Sequence, residues 1–178
     1  MSDKRTILVV DDSAPTRQYF KRFLEMQGYV VLTAEDGNKG AQAALENLPD
    51  LILLDKEMPG MHGFEVSRML RMNKKTRGIP ILMISSESET AQKIRGLEMG
   101  ADDFIPKGVS GEELFSKIRA FLRIKDLQDL LQQESDKLNQ IFCYLHEPVA
   151  ICNHQDLLVL TSKVFLNLFR MPRDGAQF

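Results

Sequence analysis

The chain has 178 residues, with 23 Lys plus Arg against 25 Asp plus Glu and a formal net charge of −2. That length accommodates one well-buried domain and a remainder, and the near-neutral balance gives no electrostatic case for nucleic acid as the main partner. Hydrophobic residues at 43% and charged residues at 27% describe a chain that folds rather than a disordered one. No run approaches the ~20 apolar residues of a membrane span. No apolar signal segment precedes Ile7, and Cys143 and Cys152 lack metal-ligand spacing. The expectation is a protein of the reducing cytoplasm with no membrane partner.

Taken in chain order, the first apolar run is "TILVV" (Thr6 to Val10), followed by Asp11 and Asp12. Ser13 with Pro15 opens a helix that Gly28 closes, and "YVVLTA" (Tyr29 to Ala34) forms the next run. Asp36 opens a second helix, and "LILLD" (Leu51 to Asp55) ends on a carboxylate before the turn "MPGMHG". Gly63 precedes a third helix, whose exit carries the basic cluster Arg68, Arg71, Lys74, Lys75 and Arg77, read as a solvated face. "PILMIS" (Pro80 to Ser85), a fourth helix closed by Gly100, and "DFIP" (Asp103 to Pro106) complete the pattern. Short, nearly continuous apolar runs alternating with capped helices predict parallel strands covered on both faces, a doubly wound α/β sheet. Ligands of such sheets bind beyond the carboxyl ends of the strands.

Those ends hold Asp11 and Asp12, Asp55, Ser85 and, just past the last run, Lys107. Three carboxylates at one rim repel each other, and a hard divalent cation, Mg²⁺, is the natural compensation. A rigidly held Asp55 beside such a cation can attack a phosphoryl group and carry it covalently. Lys107 would supply a point charge, and the Ser85 hydroxyl a hydrogen bond. Each residue alone has a plainer reading: a helix cap for Asp11 and Asp12, a strand end for Ser85, a solvated Lys107, core packing for Phe104. The constellation outweighs them.

The pieces "VVDDS", "LLDKEMPGMHGFE", "MISS" and "DDFIPK", in this order, resemble the receiver domain of two-component response regulators, whose fold is a five-stranded parallel, flavodoxin-like sheet. The resemblance implies that Asp55 accepts phosphate from a histidine kinase or phosphotransfer protein. It implies that Asp12 and Asp55 ligate Mg²⁺ with the Glu57 backbone carbonyl, Asp11 acting through water. Ser85 and Phe104 match the family's switch pair. Two departures stand out. Gly108 follows Lys107 where the family usually has proline, and Phe104 lacks the hydroxyl of the tyrosine common there.

Ser110 and Glu113 form a capping box, and no proline or glycine follows Gly111 until Pro148, so the sequence predicts a helix of roughly 50 Å. Leu114, Ile118, Phe121 and Leu122 suit packing on the sheet. Ile124, Leu127, Leu131, Leu138, Ile141 and Leu145 then fall on heptad a and d positions, with Glu134 at one d. That spacing predicts a short coiled coil, most simply a parallel homodimer.

After Pro148, "VAIC", "NHQD", "LLVLTS" and "KVFLNLFRM" read as a hairpin followed by a helix, similar to the opening of a PAS domain. On this reading the chain stops inside that domain, as an excised fragment or a shortened gene product. The expected organisation is a receiver over 1–122, a helical linker over 123–146 and a partial PAS-like segment over 147–178. His146 precedes the helix-ending Pro148 and is a poor phosphodonor, and His62 and His154 have no partner spacing. The leading function is a phosphorylation-controlled signalling module, not an enzyme in its own right beyond slow self-dephosphorylation, with Glu57 and Glu87 tuning that rate. A phosphate-independent scaffold, an aspartyl-phosphate phosphohydrolase, and the N-terminal part of a PAS-containing kinase or cyclic-dinucleotide enzyme are the alternatives.

Overall fold

A computed structural model describes residues 4–86, 100–144, 149–153 and 158–168. The chain divides into two units, Met1–Lys125 and Asp126–Phe178. In the first, β1 (Thr6–Val10), β2 (Val30–Ala34), β3 (Leu51–Asp55), β4 (Ile81–Ser85) and β5 (Asp103–Pro106) form one sheet in the order β2-β1-β3-β4-β5. Every pairing in it is parallel. β3 and β4 are buried at all positions, which is why their sequences show no alternation: each side of the sheet lies under helices.

α1 (Ala14–Met26) starts where the Ser13 Oγ accepts from Thr16 N, and α2 (Gly37–Asn47) where the Asp36 carboxylate accepts from Lys39 N at 2.8 Å. Both caps satisfy amides that the first helical turn leaves without partners. α3 spans Gly63–Met72, so Gly63 is its first residue rather than its predecessor, and His62 is the N-cap. The Glu65 carboxylate accepts from His62 N at 2.9 Å, giving His62 a structural place. The fourth helix expected from sequence lies outside the described residues.

Two apolar layers flank the sheet. One gathers Leu8, Val10, Ile52, Leu54, Val66, Leu70 and Phe104 beneath α2 and α3. The other gathers Ile7, Val9, Leu51, Leu53, Leu82 and Ile84 with Phe20 and Leu24 of α1. Leu114, Ile118 and Leu122, from the start of the next helix, complete it. The alternation of strand residues between these layers follows from the two-residue period of a strand.

The basic cluster behind α3 is not uniformly solvated. Arg71 donates to Gly100 O (2.7 Å), Arg77 O (2.6 Å) and Ile79 O (2.8 Å), and pairs with Asp102. Asp102 in turn accepts from Ile81 N at 2.7 Å. Arg71 therefore pins the entrances of β4 and β5, a role that the five donors of a planar guanidinium permit.

α4 runs from Gly111 to Tyr144, 34 residues, and its first turn is capped by Ser110 Oγ, which accepts from Glu113 N. Past Leu122 its large apolar residues are exposed: Ile124, Leu127, Leu130, Leu131, Leu138 and Ile141. In the second unit, β6 (Ala150–Cys152) and β7 (Leu158–Thr161) form an antiparallel pair, followed by α5 (Lys163–Leu168). Ser162 is buried; its Oγ accepts from Val149 N and Phe165 N, tying the hairpin to the start of α5. No helix among the described residues is long and apolar enough to cross a membrane. Leu145, His146 and His154 lie outside the described residues.

Candidate functional site

The parallel register gathers one rim. Asp55 sits opposite Ile84, and Ser85 opposite Pro106. The ladder continues one step further, with Lys56 N donating to Ile84 O at 2.9 Å and Lys107 N to Ser85 O at 2.8 Å. On the other side of β3, Asp11 N donates to Ala34 O at 3.2 Å, carrying β1 past Val10. Parallel strands expose all their carboxyl ends on the same edge, so residues far apart in sequence converge here.

Asp11, Asp12 and Asp55 each offer a carboxylate oxygen within 4.8 Å of the others. Asp11 and Asp55 are fully buried, whereas Asp12 is exposed. Asp55 Oδ2 accepts from Lys107 Nζ at 2.8 Å, and Oδ1 from Glu57 N at 3.3 Å. Asp11 Oδ1 accepts from Ser13 N at 2.8 Å. Its other oxygen, Oδ2, is buried with no hydrogen-bond partner among the described residues. A buried carboxylate oxygen with nothing to satisfy it is costly. With two further carboxylates beside it, the donor set is hard, anionic and incompletely neutralised, as a small divalent cation requires.

The electrostatics agree. Burial raises the Asp11 carboxyl above the ordinary aspartate value. The Ser13 amide and Lys107 pull it down, and the charges of Asp55 and Asp12 push it up again. Burial alone would lower the Lys107 ammonium, but its hydrogen bond and attraction to Asp55, helped by Asp11 and Asp12, raise it overall. Lys107 is therefore a fixed cation at neutral pH.

Local sequence explains the positioning. A Cβ on Gly63 would stand 2.4 Å from Asp55 O and 3.0 Å from Lys56 Cα, so the start of α3 approaches the end of β3 as only glycine permits. Met58, almost completely buried, anchors the intervening turn in the core. Gly108 adopts φ 110° with open space around it, a conformation that proline, fixed near −65°, cannot take. Ser85 is buried at the end of β4. The Phe104 ring is also buried, 6.3 Å from Phe64 and tilted against it. Glu57 lies on the open side, paired with Lys56 at 3.7 Å, and Glu87 lies outside the described residues. The site thus unites Asp11, Asp12, Asp55 and Lys107 directly, with Ser85 one strand away.

Sequence reasoning missed Arg17. Its Nη1 donates to Asp11 O at 2.7 Å, and it lies 4.0 Å from Glu35, bracing the acidic turn from α1. Nothing in the sequence marks it apart from the other basic residues of that helix.

The response regulator receiver domain family matches residues 7–119. The chain belongs to this family. Over 119 residues it is 44% identical to the phosphate regulon transcriptional regulatory protein PhoB of Pseudomonas aeruginosa, a match covering 67% of this chain and 52% of that protein. It is 39% identical over 134 residues to the DNA-binding dual master transcriptional regulator RpaA of Synechocystis, covering 75% of this chain and 56% of that one. The chain spans about half the length of the curated relatives it matches. Among solved structures it resembles the chemotaxis protein CheY4 of Vibrio cholerae, with a TM-score of 0.64, 33% identity and coverage of 66% of this chain and 98% of that one. The BeF3-activated receiver domain of Klebsiella pneumoniae RstA is similar at a TM-score of 0.62 and 28% identity, with 67% and 99% covered. The receiver match ends within α4, and the segment beyond residue 119 lies outside it.

Proposed function

We propose that Asp55 accepts a phosphoryl group from the phosphohistidine of a histidine kinase or phosphotransfer protein, in a Mg²⁺-dependent reaction, and that α4 relays the resulting state. The observation that carries this reading is the pairing of buried Asp55 with Lys107 beside the unsatisfied oxygen of Asp11.

In the reaction an Asp55 carboxylate oxygen attacks phosphorus, the bond from phosphorus to the imidazole nitrogen breaks, and the electron pair stays on that nitrogen. Lys107, already a donor to Asp55, turns its charge toward the transferred phosphoryl oxygens, and the Ser85 hydroxyl donates to one of them. Asp12, Asp55 and the Glu57 carbonyl would hold Mg²⁺, with Asp11 acting through water. When bound, the ion supplies neutralisation of phosphoryl charge. Water later cleaves the acyl phosphate slowly, and Glu57 shapes its access.

The relay has a physical path. Asp103 Oδ1 accepts from Phe104 N at 2.7 Å, while its other oxygen pairs with Lys117 of α4 at 2.5 Å. On this reading a change at Phe104 passes through Asp103 and Lys117 to α4. Its exposed a and d residues then self-associate as a parallel coiled coil, since a row of uncovered leucines in water favours a partner. Residues 1–122 act as the receiver, 123–146 as the helical linker and 147–178 as a partial PAS-like segment, the β6–β7 hairpin and α5 supporting the last.

Size exclusion with light scattering, in Mg²⁺ with and without beryllofluoride, tests the relay. A change in mass or shape that Asp55→Asn lacks supports it. No beryllofluoride binding and no change would favour a phosphate-independent scaffold.

A further inference from the structure

α3 is apolar on two sides, although a surface helix needs only one apolar stripe. Val66, Ser67 and Leu70 are buried in the core. Met61 and Phe64, partly buried against the core, and the exposed Met69 and Met72 recur at spacings of three to five residues and, with Glu65 and Arg68, line an open groove of about 480 Å³. Met72 is 78% exposed and Met69 37%. Methionine is unbranched and polarisable, suited to moulding around an incoming apolar surface.

Arg68 lines this groove, and Lys74, Lys75 and Arg77 follow Met72 in the chain. Arg68, Lys74, Lys75 and Arg77 are all exposed, and none makes an ion pair to an acidic side chain among the described residues. Arg71, the fifth member of the cluster, is consumed by Gly100, Arg77, Ile79 and Asp102. Glu65, the one acid among the described residues that line the groove, accepts from His62 N. A largely apolar groove along α3, followed by cations that make no ion pair among the described residues, matches a helix-in-groove partner of opposite charge.

We propose that the outward face of α3 docks an amphipathic helix of another protein, whose apolar stripe fills the groove formed by Met61, Phe64, Met69 and Met72 and whose acidic flank meets Arg68, Lys74, Lys75 and Arg77. Phe64 belongs both to this groove and to the contact with Phe104, so an occupant touches the ring that packs on the candidate switch residue. The surface itself does not depend on the phosphoryl reading.

The test uses the full chain with ¹³C-labelled methionine methyl groups. The probe is a synthetic helical peptide of about four turns with leucine at every third and fourth position, made with glutamate flanks or with lysine flanks. The glutamate peptide is expected to shift the methyl signals of Met61, Met69 and Met72 and to leave Met58, which is 2% exposed, in place as the reporter of an intact fold. Arg68→Glu combined with Lys75→Glu should weaken the glutamate peptide at least ~10-fold and make the lysine peptide the better ligand. Equal binding of both peptides, shifts confined to methionines away from α3, or concentration-dependent broadening of the α3 methyls without peptide would overturn the proposal. The last outcome would assign the face to a second copy of this chain.

Discussion

Lys107 Nζ donates to Asp55 Oδ2 across 2.8 Å, joining the loop after β5 to the end of β3 over the intervening β4. The bond compensates a carboxylate with no solvent exposure, and it sets the first expectation. Lys107→Met leaves that charge buried and should lower stability by roughly 1–3 kcal/mol, less than for a fully enclosed pair because the lysine side chain reaches solvent. Mg²⁺ should restore part of the loss. The Lys107 ammonium titrates above its ordinary value in the folded chain. The pair's contribution is therefore present below about pH 10.4 and disappears as pH rises through the raised folded value. Urea denaturation at several pH values, with and without Mg²⁺, measures both effects.

Asp11 acts with the same sign in the acid range. Its carboxyl is raised by burial, so the folded chain binds the proton more tightly than the unfolded one. The metal-free protein should lose stability as pH climbs from the ordinary aspartate value through the raised one, and then level off. Asp11→Asn retains an acceptor for Ser13 N and removes the buried charge. Its metal-free form should be more stable than the parent at neutral pH by roughly 1 kcal/mol, while the stabilisation that Mg²⁺ gives the parent is largely lost. Thermal melts in chelator and in Mg²⁺ separate the two.

Gly63 and Gly108 predict contrasting failures. Gly63→Ala drives a methyl into Asp55 O; the backbone must shift, at a cost of roughly 2–3 kcal/mol, and phosphoryl uptake should fall with it. Gly108→Pro installs the residue common in the family at a position whose φ is 110°. With no clash to relieve, the loop rearranges, and Lys107 should lose its hold on Asp55 before global stability suffers. Comparing labelling rate with denaturation midpoint in the two variants tells a displaced lysine from a disrupted fold.

Along α4, Glu134 occupies a d position among exposed leucines and pairs with Lys137 at 2.6 Å within its own helix. In a parallel dimer it meets the partner's glutamate. Glu134→Leu should tighten self-association by ~10-fold or more, and Leu131→Asp with Leu138→Asp should abolish it. Sedimentation equilibrium reads both; unchanged mass in every variant would remove the dimer.

The sheet was legible because both faces of its central strands β3 and β4 are covered: Leu51 to Leu54 and Ile81 to Ile84 are apolar without interruption, and what breaks each run, Asp55 or Ser85, stands out as chemistry. The cap residues Ser13, Asp36 and Ser110 were equally plain, since their work is done within a few residues. Arg71 and Arg17 were not. Arg71 reads as one of five basic residues, yet its partners at Gly100 and Asp102 are 29 and 31 residues away, and only the tertiary fold selects it. Arg17 touches a backbone carbonyl, which leaves no mark on the sequence. Leu130, exposed at a g position, widens the apolar stripe beyond the strict a and d seam read from spacing.

The most direct measurement is intact-protein mass spectrometry after incubation with acetyl phosphate and Mg²⁺, with peptide mapping of the adduct. The account predicts one phosphoryl group on Asp55, absent in chelator and absent in a folded Asp55→Asn variant. A phosphoryl adduct that persists in that variant, or none on the parent under any Mg²⁺ concentration, would contradict it.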